Sequence, residues 1–193
     1  MGWVKPAHTY LYMSYEEKQI KSNVIYEGKI LTLKVDDIQT HNGRFSKREY
    51  VVHRGGAGVL AIDENDYVYL VRQYRYAYRE ELLEIPAGKL EEGESPLTTV
   101  RRELEEETGL HGDIREFGLL YPTPGYTNEP LYIFVATNLK QSERHPDEGE
   151  FLDVVRISFD EVYEMVMSGK IRDAKTAYAV LKYHALRLEN KKP

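Results

Sequence analysis

Residues 88–110 read GKLEEGESPLTTVRRELEEETGL, and the rest of the chain is best read outward from them. The stretch opens as a turn and becomes a helix. Ser95 is a good N-cap, Pro96 suits the first helical position, where its missing N–H is not needed, and Gly109 suits the left-handed residue that ends a helix. The predicted helix therefore runs from about Pro96 to Thr108. At about 100° per residue, Leu97, Val100, Leu104 and Thr108 form one stripe that can pack inward. On the same wheel Glu103 and Glu107 lie about 40° apart and Glu106 about 60° from Glu103, while Glu105 points away. Two carboxylates about 4 Å apart repel by roughly 4 kcal/mol at an effective dielectric of about 20, and like charges at i,i+4 weaken a helix further. A hard divalent cation with oxygen ligands offsets such repulsion. A solvated acidic face with Arg101 and Arg102 as counterions is the other reading. The preceding Gly88, Gly93 and Glu94, for which a plain surface helix has no use, favour the cation.

The chain has 193 residues, 41% of them hydrophobic, enough for one main domain and a small appendage. It contains no cysteine, so thiolate metal sites, cysteine nucleophiles and disulfides are excluded, and a metal must be held by oxygen or imidazole. The six histidines show no ligand spacing. A net charge of -6 argues against nucleic acid or an anionic membrane as partner. No stretch approaches a membrane span, and the N-terminus has no apolar signal core or acylation motif, so a cytoplasmic location is expected.

Residues 1 to about 15 carry aromatics without a period and read as an irregular arm. From Lys21 to His53 the pattern is β, with a hairpin at His41-Asn42-Gly43. Three such strands make a poor core alone, so this antiparallel module needs a neighbour. The GGAG at 55–58 is followed by no helix and reads as close backbone approach within a sheet rather than a phosphate loop. VLAID and YVYLVRQYR form a second hairpin about Glu64-Asn65-Asp66. ELLEIPAG then enters the acidic segment, with Ala87 placed to turn a backbone carbonyl toward an ion. Strands IREFGLLYP and PLYIFVATNL flank the loop TPGYTNE, a natural ligand-facing segment. After the polar connector 140–150 come the strand FLDVVRI, a helix capped by Ser158 with Glu161, and a last helix capped by Asp173 and running to about Leu188. The class is α+β.

The acidic stretch resembles the Nudix hydrolase signature, G-x5-E-x7-R-E-U-x-E-E-x-G-U with U aliphatic. Gly88, Glu94, Arg102, Glu103, Leu104, Glu106, Glu107, Gly109 and Leu110 fill every fixed position. Within that superfamily the chain is similar to the ADP-ribose pyrophosphatases, through Gln73-Tyr74-Arg75, a proline fifteen positions beyond Gly109 (Pro124) and Asp173-Ala174-Lys175-Thr176-Ala177. The resemblance implies a Nudix fold, a mixed β-sheet sandwiched between helices, over residues 54–193, with residues 1–53 as an N-terminal arm and β module exchanged in a homodimer. It implies hydrolysis of the diphosphate of ADP-ribose to AMP and ribose 5-phosphate with Mg²⁺, or Mn²⁺. Ala87 (through its carbonyl), Glu103, Glu107 and Glu150 would hold the metal, Glu106 would stand close by in the catalytic set, and Glu148 would be the general base. Arg102 would orient the acids. Arg54 and Arg75 are candidate phosphate clamps, with plain surface charge on strand ends as the alternative. Glu129 is a candidate ribose contact, and Arg48 with Glu49 would reach the nucleotide of a neighbouring subunit. Two rivals stay open: a pyrophosphatase for another nucleoside diphosphate sugar such as GDP-mannose, and a Nudix-type sensor that binds a nucleotide without cleaving it.

Overall fold

The strand Gly56–Ile62 (β4, following β1–β3 below) is buried at every position, and the larger part of the structure is assembled on it. Its residues alternate between two cores. Ala57, Val59 and Ala61 face a cluster with Val100, Leu104, Leu110, Phe134 and Ala136, while Leu60 and Ile62 face a second cluster with Phe159, Val162, Ala179, Val180 and Tyr183. A strand covered on both faces reads as a continuous apolar run, which is why VLAI shows no polar alternation. The computed structural model describes residues 14–144 and 151–189.

The chain divides into two units, Met1–Val52 and His53–Pro193. In the first, β1 (Lys18–Glu27), β2 (Thr32–Gln39) and β3 (Phe45–Val52) form an antiparallel sheet in the order β1-β2-β3. The hairpin turns at His41-Asn42-Gly43 with Gly43 at φ 82. β1 begins at Lys18, three residues before the sequence pattern starts, because its ladder with β2 extends back to Gln39. This strand is almost wholly exposed, with Ile20 at 51% and Tyr26 at 59% of their full accessibility.

In the second unit, β5 (Tyr67–Arg75), β6 (Glu80–Glu84), β7 (Ala87–Lys89), β8 (Leu110–Leu120), β9 (Leu131–Gln141) and β10 (Leu152–Ser158) join β4 in one sheet of order β10-β5-β4-β9-β8. β4 runs parallel to β9, and the other pairings are antiparallel, so the sheet is mixed. Helix α1 (Pro96–Thr108) supplies Val100 and Leu104 to the first core. α2 (Phe159–Met167) and α3 (Ala174–Leu188) supply the second, so the sheet lies between helices as the α+β expectation required.

β4 and β5 pair only at Ala61↔Tyr69 and Ile62↔Val68 and then part. β6 fills the opening on the β5 side and β7 on the β4 side. The single run expected for ELLEIPAG is thus two strands on different partners, broken at Ile85-Pro86, where proline has no N–H for a ladder. The glycines at 55–58 serve close approach: a Cβ on Gly56 would lie 2.9 Å from the Gly88 carbonyl oxygen. β8 starts at Leu110, earlier than its alternation suggests, because the left-handed Gly109 at the end of α1 turns the chain straight into the ladder with Gln141.

Candidate active site

α1 starts as its sequence demands. Ser95 Oγ accepts from Thr98 N at 3.1 Å, Pro96 occupies the first turn, and the Gly109 N–H closes the end on Glu105 O at 2.8 Å with φ 67. Burying Val100 and Leu104 against β4 leaves the neighbouring face, with Glu103 and Glu107, against β7. Both carboxylates are buried, Glu103 to 8% and Glu107 to 2% exposure. Glu107 Oε2 accepts from the Ala87 N–H at 3.0 Å. Glu103 lies over Gly88 so closely that a Cβ there would sit 1.6 Å from its Oε1. The absence of a side chain at position 88 makes room for that carboxylate.

Arg102 stands among three acids. Its Nη1 donates to Glu103 Oε1 (2.9 Å) and Glu106 Oε2 (2.8 Å), its Nε to Glu94 Oε1 (3.2 Å) and its Nη2 to Glu94 Oε2 (3.3 Å). Burial pushes the Arg102 pKa down, but the Glu94 hydrogen bond and the charges of Glu103 and Glu106 outweigh it and raise the net value. The reciprocal bond from Arg102 holds Glu94 below the usual carboxylate range. Thr99 Oγ1 adds a donor to Glu94 Oε2 at 2.7 Å, which fixes the residue six beyond Gly88 to the helix. Part of the acid repulsion that the sequence assigned to a cation is therefore offset by this one guanidinium. Arg101, the other counterion considered, is exposed. Glu105 points away from the group, as its helical angle requires, and accepts from Ser142 Oγ.

Among the described residues no three His, Asp or Glu side chains gather around one point. Two buried carboxylates one turn apart, beside a backbone strand whose glycine leaves space, nonetheless form an all-oxygen donor set. That set fits a hard divalent ion of the Mg²⁺ type, which is commonly held by one or two carboxylates and completed by water and phosphate.

The other expected residues are placed as follows. Ala87 contributes its N–H to Glu107. Arg75 is partly exposed, and its Nε and Nη2 fork onto Glu84 at 2.6 and 2.7 Å. Arg54 is exposed and 3.9 Å from exposed Glu92, a pair worth little. Glu129 lies 3.3 Å from His53 Nδ1. In the N-terminal unit Arg48 pairs with Glu17, its Nε 2.8 Å from Oε2, and Glu49 is exposed on β3. Glu148 and Glu150 lie outside the described residues.

Sequence reasoning passed over Glu84, the last residue of β6, which is only 2% exposed. Burial pushes its carboxyl up, but the Arg75 bonds and the charges of Lys175 and Arg75 overcome this and hold it at about 2. The available signal was a glutamate inside the apolar run LLEIP.

A mixed sheet between helices, carrying an acid cluster ordered by one arginine on a loop–helix–loop, defines a hydrolase of the Nudix class. The chain belongs to the Nudix family: the NUDIX domain description matches residues 52–179, and that of the nucleoside diphosphate sugar hydrolase N-terminal domain matches residues 17–51. It is 41% identical over 169 residues to a methanol dehydrogenase activator of Bacillus methanolicus, covering 86% of this chain and 91% of that protein. It is 40% identical over 170 residues to an ADP-ribose pyrophosphatase of Bacillus subtilis, covering 86% and 92%. A crystal structure of an ADP compounds hydrolase superposes with a TM-score of 0.79 at 22% identity, over 93% of this chain and 99% of that one, and shows the same fold.

Two outcomes are expected of this site. Gly88→Ala should fold, since the displaced atoms are the flexible end of Glu103, but its Mn²⁺ affinity by calorimetry should fall at least about tenfold; unchanged affinity would remove Glu103 from the ligand set. The Glu84 carboxyl is depressed from 4.5 to about 2, so its stabilisation, about 3 kcal/mol, is fully present above pH 4.5 and is lost as pH falls toward 2. In urea unfolding series Glu84→Gln should flatten the stability decline across that window; an unaltered decline would contradict the assignment.

Proposed function

We propose that this chain hydrolyses the diphosphate of ADP-ribose, releasing AMP and ribose 5-phosphate. The complete acid set, with Glu103 and Glu107 buried against β7 and Arg102 bridging Glu94, Glu103 and Glu106, carries the reading. The relationship to the Bacillus subtilis pyrophosphatase over nearly its whole length supports the choice of substrate.

Glu103, Glu107, the Ala87 carbonyl and Glu150 would hold a divalent cation, Mg²⁺ with Mn²⁺ as the alternative. When bound, it neutralises diphosphate charge and acts as a Lewis acid. Arg102 fixes the Glu103 and Glu106 carboxylates in direction, with Glu106 at the edge of the reacting group. Glu148, in the E-x-E pair with Glu150, takes the proton of the water that attacks phosphorus. Arg54 is free to swing onto a phosphate oxygen. Arg75, committed through Nε and Nη2, would meet phosphate with Nη1. Glu129 would bind a ribose hydroxyl.

The working unit is a homodimer in the cytoplasm. A three-stranded sheet with Ile20, Val24, Ile25 and Tyr26 exposed needs a cover, and a second copy supplies one; Arg48 and Glu49 then reach the partner's nucleotide. Among the described residues no helix is long and apolar enough to cross a membrane.

Incubation with ADP-ribose and Mg²⁺ should yield AMP by chromatography, and Glu148→Gln should lower kcat by about 10² to 10⁴-fold while still binding Mn²⁺. Faster cleavage of GDP-mannose would move the substrate assignment, and tight binding without cleavage of any diphosphate would make the protein a sensor. Sedimentation should show twice the 22.5 kDa chain mass, and Ile20→Asp with Val24→Asp should give monomers; a fully active monomer would refute the dimer.

A further inference from the structure

Between β6 and β7 the chain crosses the opening where β4 and β5 part, and there it is tied at each step. Glu84 receives the Arg75 fork and the Lys175 ammonium on its side chain. The Ile85 N–H donates to Thr176 Oγ1 at 2.8 Å, the Pro86 carbonyl accepts from Val59 N at 2.9 Å, and the Ala87 N–H donates to Glu107 Oε2 at 3.0 Å. Two of these ties come from the start of α3. Lys175 Nζ bridges Glu84 to Asp173 Oδ1 at 3.0 Å. Asp173 Oδ2, the helix cap, accepts from Thr176 N (3.0 Å) and from the same Thr176 hydroxyl that receives Ile85 (2.6 Å). Two cations and two carboxylates are thus paired around Glu84, three residues before Ala87.

We infer that Glu84 and Lys175 are positioning residues for the active site: the charge network they form holds the Glu84–Ala87 crossing rigid, and so sets the backbone of Ala87 against Glu107. A network serving only to fasten α3 would not require its ties to continue through Ile85 and Pro86 to a metal-holding carboxylate. The Glu84–Lys175 contact spans 91 residues of sequence and brings the second core's helix to bear on a site built on the opposite face of the sheet. This inference rests on the reading of Ala87 and Glu107 as metal-holding.

The test uses the full chain with Lys175→Met, Lys175→Arg and Asp173→Asn. Ala179→Gly in the buried face of α3 serves as a control of similar destabilisation. Lys175→Met should weaken Mn²⁺ binding, measured by calorimetry without substrate, by about 10 to 100-fold and speed hydrogen exchange at the Ala87 amide. Its kcat for ADP-ribose should fall in parallel while KM stays within about twofold, the signature of lost positioning rather than lost binding. Lys175→Arg should recover most of the loss, and the control should show none of it. Should Lys175→Met not fold, Asp173→Asn carries the test, because asparagine caps a helix as well as aspartate but removes the charge that pairs with Lys175. Unchanged Mn²⁺ affinity and Ala87 exchange in a folded variant, or equal losses in Ala179→Gly, would overturn the inference, as would a wild type that binds no Mn²⁺. Both principal readouts are taken without substrate, so failure of ADP-ribose as the substrate leaves them standing.

Discussion

Negative charge packed against a backbone strand is the constraint on which the site depends. Glu103 and Glu107 are buried one helical turn apart, where bulk water cannot screen them, and each is matched to one residue of β7. Glu107 takes an amide N–H, and Glu103 takes the space that Gly88 leaves. Arg102 donates four hydrogen bonds to Glu94, Glu103 and Glu106, and a guanidinium suits this work because its donors lie in a fixed plane and it stays charged at any working pH. One arginine cannot by itself neutralise Glu94, Glu103 and Glu106. The residual negative charge is what a divalent cation would meet.

The position of that charge is decided by the sheet. β4 and β5 share only two paired positions, and their separation admits β6 and β7 as short inserts. The turn that brings Ala87 and Gly88 under α1 exists only because the chain can cross that opening. Crossing removes Glu84 from water, and an isolated buried carboxylate is costly, so Arg75 and Lys175 are drawn in as partners. A buried ionic network of this kind is a weak source of stability against an apolar alternative, but its directional bonds specify one geometry. The two cores on either side of the sheet are thereby coupled through polar contacts, although their apolar clusters are separate.

The N-terminal unit shows a different balance. Its three strands are well paired by backbone bonds, and the β1–β2 and β2–β3 registers are continuous apart from two irregularities in β1. Buried side chains are few: Asp36 and Ile38 are the buried residues of β2, and no residue of β1 or β3 falls in that class. Hydrogen bonding has set the shape of this sheet without supplying a core.

Local chemistry is legible in the sequence. The caps at Ser95, Pro96 and Gly109, the helix between them, the turn at Asn42-Gly43, the caps of the last two helices and the shared side of Glu103, Glu106 and Glu107 all follow from rules that act over one or two turns. What the order of residues left undecided was partnership between distant segments. Periodicity tells which face of ELLEIPAG is apolar, but not that its halves join different strands. The sequence offers Arg75 as a phosphate clamp or as surface charge, and gives no sign of its fork onto Glu84. Lys175 and Glu84 lie 91 residues apart, and nothing short-range connects them. Only the folded sheet, by parting β4 from β5 and closing α3 over the gap, gives the buried carboxylate its cations, because the energy of that contact depends on removal from water, which no local pattern encodes.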